Sequence, residues 1–285
     1  GTSGALTATG ASSNVVVNPA TASYLVVTGT ASQAAGASNA ITITAYDTYN
    51  NVATGYTGDK NLVFSGANAS PSPATNPTAT NKTSTAIDFG STTVVTFASG
   101  AGTSTMKLYK AESASVNVTD GSITATSHEL AVTVSATTKN KLLFGTQPST
   151  PVTAGATWTS FTIKITDVYG NQTTDTDNVV IAPSSGSFAS GTTTRAAVSG
   201  LATFNDITYT TAATITVSGT SGALTATGAS SNVVVSPATA SYLAVTGTAS
   251  QAAGASNAIT ITAYDTYNNV ATAYTGDKNL VFSGA

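Results

Sequence analysis

Cysteine is absent from this 285-residue chain, so no disulfide staples it. None is required where domains reach about 100 residues, a size at which a hydrophobic core can hold itself. Charge is scarce as well: Asp, Glu, Lys and Arg make up 7% of the residues, against roughly 25% in an ordinary soluble domain. The nine basic residues are scattered and the formal net charge is −3, so there is no basic footprint for nucleic acid. No apolar run approaches the ~20 residues of a bilayer span, and no membrane insertion is expected within these residues. Scarce charge does not signal disorder, because 41% of the residues are apolar and disordered chains combine low hydrophobicity with high net charge.

Catalysis finds little material. His128 is the single histidine, between Ser127 and Glu129 beside an expected turn, and reads as a solvated strand-end residue. Ser104-Thr105-Met106-Lys107 matches the letters of a Ser-x-x-Lys acylation motif, but its partner elements Ser-Asp-Asn and Lys-Thr-Gly are missing. The chain is read as a non-enzyme with no cofactor.

What the sequence does hold is a repeat. Residues 1–67 return as residues 219–285 with three changes, Asn18 to Ser236, Val26 to Ala244 and Gly55 to Ala273, an offset of 218 since 219 minus 1 is 218. Fidelity over that length marks a tandem array. Within the period a second, diverged echo lines Phe161–Asn171 up with Ile41–Asn51, and both carry Asp-x-Tyr-(Asn/Gly)-Asn after an alternating run. The expected organisation is therefore residues 1–19 as the closing hairpin of one domain, 20–136 as a type 1 domain, 137–237 as a type 2 domain, and 238–285 as the opening strands of the next type 1 domain. The two end pieces are expected to be completed by covalent continuation or by strands of a neighbour.

The fold class is all-β. Thr and Val are β-branched and fit a pleated, half-buried surface, while Leu, Glu, Lys and Arg, which favour helix, are scarce. In Ala40–Tyr46, Ile41, Ile43 and Ala45 alternate with Thr42, Thr44 and Tyr46, the period of a sheet with one face on a core. Strands are also expected at Tyr24–Val27, Asn61–Phe64, Thr93–Phe97, Thr105–Tyr109, Ser115–Thr119, Ile123–Thr126, Leu130–Val134, Gly200–Ile207 and Ala213–Val217. Ala5–Thr9 and Asn14–Val17 read as a hairpin around Gly10–Ser13. The Pro- and Ser-rich segment 66–91 is either a functional loop or one or two strands without a clear pattern.

Asp47, Asp167 and Asp265 recur at one structural place. Two readings stand: each caps its own turn, or each contributes to a calcium site at a domain end, for which six to eight oxygens would be needed. Asn68 and Asn81 sit in glycosylation triplets within the polar 66–91 segment, and sugar is a candidate partner there.

The strand ending in Asp167–Asn171, the Tyr56-Thr57-Gly58 that follows Asp47–Asn51, and the Gly200–Ile207 run resemble tandem bacterial immunoglobulin-like repeats of the invasin/intimin and filamin-like type. The resemblance implies tandem antiparallel β-sandwiches in an extended rod at the cell surface or outside the cell, with the chain's partner being itself, through head-to-tail and lateral contacts. It also implies a Lys–Asn isopeptide crosslink as a feature of some relatives, for which Lys141 is the candidate donor. Three functions follow: a structural repeat of an extracellular fibre or surface-layer-like assembly, the passive stalk of a giant adhesin, or an accessory module of a secreted carbohydrate-active enzyme.

Overall fold

Strand Ser38–Tyr46 shows why these residues build sheet: Ile41, Ile43 and Ala45 are at most 1% exposed, while Thr42, Thr44 and Tyr46 face outward. A computed structural model describes residues 2–4, 6, 7, 10, 13–226 and 228–283, and no helix occurs among them. The chain divides into two units, Gly1–Ser135 and Ala136–Ala285.

In the first unit the strands pair in the order Tyr24–Thr28, Ser38–Tyr46, Ala101–Lys107, Thr92–Ala98, Gly58–Ser65, Ser113–Thr119, Leu130–Ser135 and Ser32–Ala34. All pairs are antiparallel except the last, where Leu130–Ser135 runs parallel to Ser32–Ala34. The path folds back over its own start. Leu25 and Val27 donate their N–H groups to the carbonyls of Thr124 and His128 at 3.0 and 3.3 Å. Two layers thus enclose one core, in which Leu25, Ile43, Leu62, Phe64, Met106 and Val116 are wholly buried. Gly66 lies where this packing is tightest: its φ is +91°, and a Cβ there would stand 1.8 Å from the carbonyl oxygen of Ser115.

The type 2 sandwich in the second unit has its own core, gathered from residues between Leu142 and Val235 and centred on Phe161, Ile163, Phe204 and Tyr209. Lys141–Thr146, Phe161–Thr166 and Leu201–Phe204 form one sheet, and Thr194–Ala196, Asn178–Pro183, Val217–Ser221 and Leu224–Thr225 another. A parallel pair of Val233–Ser236 with Val152–Thr153 matches the parallel pair of the first unit, so the diverged echo extends to topology.

Several expectations need correction. Ala213–Val217 is two strands: Ala213–Ile215 pairs with Val233–Ser236, and the chain changes sheet at Thr216 before Val217–Ser221. The hairpin expected of residues 5–9 and 14–17 falls in part outside the described residues; among those described, Thr2–Ser3 pairs with Leu6–Thr7, and Asn14–Val17 carries no strand. In the second copy Leu224–Thr225 turns back on Val217–Ser221 while Val233–Ser236 joins a different sheet, so the Gly/Ser link between them is a crossover, pinned where Ser230 Oγ accepts from Val217 N at 2.8 Å. Ile123–Thr126 reduces to one bridge, Thr119 to Thr124, before the positive φ of Ser127 ends it. The strand expected at Thr105–Tyr109 runs Ala101–Lys107, earlier in the chain. In segment 66–91, Thr78–Thr80 and Ala86–Asp88 form a hairpin whose first arm pairs with Ala101–Lys107, so the unseen-strand alternative holds.

One strand pair of the duplicated segment keeps its register in both copies. Tyr24 pairs with Tyr46 and Thr28 with Thr42, and 218 residues later Tyr242 pairs with Tyr264 and Thr246 with Thr260. Burial differs between the copies. Phe64 is 0% exposed whereas its equivalent Phe282 is 65% exposed. One substitution made in both copies separates packing from chemistry: Phe64→Ala is expected to destabilise the first unit by about 3–5 kcal/mol, and Phe282→Ala to change stability by less than about 0.5 kcal/mol. Chemical denaturation of the two variants measures the difference.

Candidate functional site: the buried carboxylate turns

Three aspartates, Asp47, Asp167 and Asp265, are buried at 0% exposure, each at the end of an alternating strand. The turn that follows holds its fourth residue in the left-handed region: φ is 66° at Asn50, 81° at Gly170 and 66° at Asn268. That explains why the motif reads Asn or Gly at this position, the residue types that tolerate such a backbone.

Each carboxylate does two jobs. Asp47 Oδ1 accepts the backbone N–H groups of Tyr49 and Asn51, both at 2.9 Å, which closes the turn. Its Oδ2 accepts the Asn51 side-chain amide at 3.1 Å and the backbone N–H of Ala20 at 2.9 Å. Asp167 repeats the arrangement with Tyr169, Asn171 and, from the incoming chain, Thr137 N at 3.0 Å. Asp265 repeats it again with Tyr267, Asn269 and Ala238 N at 2.8 Å. Ala20, Thr137 and Ala238 are the first residues of the three segments read from the repeat. The aspartate therefore pins the entry of the chain into a sandwich to the turn at that sandwich's end.

This geometry does not fit calcium. N–H donors occupy both oxygens of every carboxylate, and a cation needs lone pairs from several oxygens. Among the described residues no three His, Asp or Glu side chains gather to supply them. The turn-capping reading is the one the contacts match. Burial alone would push the Asp47 carboxyl up, but the N–H groups of Asn51 and Ala20, the Asn51 amide and the Tyr49 N–H outweigh it and hold the pKa at about 2. At Asp265 burial is likewise outweighed, by Asn269, Ala238 and Tyr267, and the pKa is lowered.

Other tyrosines pack around these turns. Tyr46 stacks on Tyr24 at 5.5 Å and Tyr264 on Tyr242 at 5.4 Å. Tyr24 and Tyr242 each donate to the side-chain oxygen of the left-handed asparagine, Asn50 and Asn268, at 2.7 Å. Tyr56 donates to Asp120 Oδ2 at 2.6 Å, meets Phe97 edge-on and lies under the Lys60 ammonium. Burial and the Asp120 carboxylate push its phenol far up. Sequence reasoning missed the Asp120 contact, which spans 64 residues and leaves no local pattern.

The remaining candidates scatter. His128 is exposed and stacks on Tyr24 at 4.5 Å. Ser104 is buried and donates to Thr80 O at 2.8 Å, while Lys107, an odd number of residues along the same strand, points to the opposite face, so the Ser-x-x-Lys letters do not converge. Lys141 Nζ donates to the carbonyl of Val168 at 3.1 Å. Asn68 is engaged by Glu112 through both its backbone N–H and its side-chain amide. Asn81 sits at the tip of the 78–88 hairpin, its Oδ1 accepting from Thr83 N and Oγ1 and from Thr85 N.

The carboxylate turns predict an acid limb. The folded pKa of Asp47 lies below the ordinary ~3.9 of an unfolded chain, so its contribution is present above that value and is lost as pH falls through about 2. Calorimetry is expected to show the first unit's melting temperature falling between about pH 4 and pH 2. Asp47→Ala is expected to lower that temperature at pH 7 and to flatten the acid limb.

No protein-family model and no curated protein matches the chain. Among solved structures, the Escherichia coli adhesin FdeC is 18% identical, with 90% of this chain and 77% of that one covered at a TM-score of 0.41. Invasin, a bacterial integrin-binding protein, is 14% identical over 88% of this chain and 48% of its own, at a TM-score of 0.36. Domains 5–6 of the S-layer protein SbsC are 15% identical, covering 76% of this chain and 99% of that one at a TM-score of 0.26. FdeC and invasin are of the kind that the sequence resembles. At such identities and TM-scores the likeness assigns no ligand, activity or assembly to this chain.

Proposed function

We propose that this chain is a structural repeat of an extracellular or cell-surface array, built from alternating type 1 and type 2 sandwiches and associating with itself. The observation that carries this reading is the duplicated segment, which returns after 218 residues with the same strand register and the same carboxylate turn. A spacer made of identical units needs reproducible domain ends more than it needs a reactive centre. Its outward strand positions support the same reading. On Ser113–Thr119 they are Ser113, Ser115, Asn117 and Thr119, hydroxyl and amide groups without charge to hold neighbours apart.

Passive stalk of a large adhesin is the second reading, and it shares the same repeat. The accessory-module reading has less behind it, since Tyr24, Tyr46 and Tyr56 stack, cap a turn or pack on phenylalanine. Electron microscopy of native material is expected to show ordered filaments with an axial or lateral period. Flexible single strands ending in a distinct tip would favour the stalk instead. Of the two glycosylation candidates, Asn81 is expected to carry sugar and Asn68, held by Glu112, to be bare, as read by mass spectrometry of intact peptides.

A further inference from the structure

In the second unit the turn after Asp265 does more than cap a strand. Asn269 Nδ2 donates to the carbonyl of Thr210 at 2.7 Å, and its Oδ1 accepts the backbone N–H of Ala212 at 2.7 Å. The carboxamide thus closes a two-bond clamp on a loop of the type 2 sandwich while its nitrogen also reaches Asp265 at 2.9 Å. Beside it the Tyr267 ring lies against Gly155, so close that a Cβ on that glycine would stand 2.0 Å from the phenol oxygen. A cavity of about 400 Å³ next to the turn is walled by Pro237–Ala240, Ala271 and Tyr274 on one side and by Thr153 of the type 2 sandwich on the other.

The first unit carries the same turn without its seat. Tyr49 is 76% exposed where Tyr267 is 42% exposed. Among the described residues Asn51 Oδ1 accepts no hydrogen bond, and a cavity of about 410 Å³ opens beside Pro19–Ala22, Ala53 and Tyr56, the positions equivalent to those that face Thr153 in the second unit. None of the three substitutions between the copies falls on Asp47–Asn51, and a Cβ on Gly55 meets nothing, so Ala273 leaves the surface equivalent.

We propose that the Tyr49–Asn51 turn and the adjoining cavity of the first unit form a docking surface for the loop end of a type 2 sandwich from another copy of this repeat. Asn51 would clamp the carbonyl and amide that Thr210 and Ala212 supply, and Tyr49 would cover the glycine equivalent to Gly155. A glycine is required there because φ is +78° and the ring leaves no room for a side chain. The proposal deepens the reading of the chain as a repeat in an array, by naming which end of which sandwich meets which turn.

Tyrosine nitration followed by mass spectrometry tests it, since the Gly55/Ala273 difference gives the two turns peptides of different mass. In the 285-residue chain Tyr49 is expected to react several-fold faster than Tyr267. Gly155→Ala and, separately, Asn269→Ala are expected to raise the Tyr267 rate to that of Tyr49 and to leave Tyr49 unchanged. Fusing residues 137–218 ahead of Gly1 rebuilds a type 2 sandwich there, because residues 1–19 repeat 219–237 with only Asn18 for Ser236. Emission from the added, buried tryptophan reports its folding, and Tyr49 is then expected to slow to the rate of Tyr267. A folded added sandwich with Tyr49 still fast overturns the proposal, as does a Tyr267 that stays slow in both variants. Either result leaves the array reading to electron microscopy, which does not depend on how the joint is made.

Discussion

A buried carboxylate surrounded by N–H donors is the constraint on which the rest of this structure depends. An isolated carboxylate inside a sandwich would be costly, and here the cost is offset because four N–H donors converge on each one. Two of those donors are turn amides, one is the asparagine side chain, and the last comes from the chain as it enters the sandwich. Asp47, Asp167 and Asp265 therefore tie local turn geometry to the incoming chain at Ala20, Thr137 and Ala238. Removing any of them takes the acceptor from three backbone amides at once.

The same turn explains how a chain with so few charges can hold regular domain ends. Its asparagine faces two ways in the second unit, inward to Asp265 and outward to Thr210 and Ala212. The carboxylate sets the position of the asparagine, and the asparagine reads a neighbouring loop through backbone groups alone. Such recognition needs no complementary charges, only a glycine that lets the phenol end of a tyrosine come against the backbone.

Much of the fold was legible in the letters because one-sided burial writes period-two alternation directly into strands such as Ser38–Tyr46. The recurrence of Asp47 at offsets of 120 and 218 pointed to a shared place, and Asn or Gly at the fourth turn position pointed to its backbone. The donors from Ala20, Thr137 and Ala238 were not legible: backbone amides carry no side-chain signature, and they lie 27, 30 and 27 residues from their aspartates. Lys141–Thr146, Asn178–Pro183 and Thr194–Ala196 escaped for a different reason. Thr194–Ala196 is only three residues long, and turn-forming residues lie close to all three. The sheet change at Thr216 hid because Ala213–Val217 reads as one β-prone run whichever sheet its ends join.

Near-identical letters over the 67-residue segment, with one strand pair in the same register in both copies, have a consequence at the level of inheritance. A genetic exchange anywhere within that segment joins the front of one sandwich to the back of another that already fits it. Whole periods of 218 residues can then be gained or lost without any core having to be re-solved, so the length of such a molecule is free to vary between lineages while its modules stay the same.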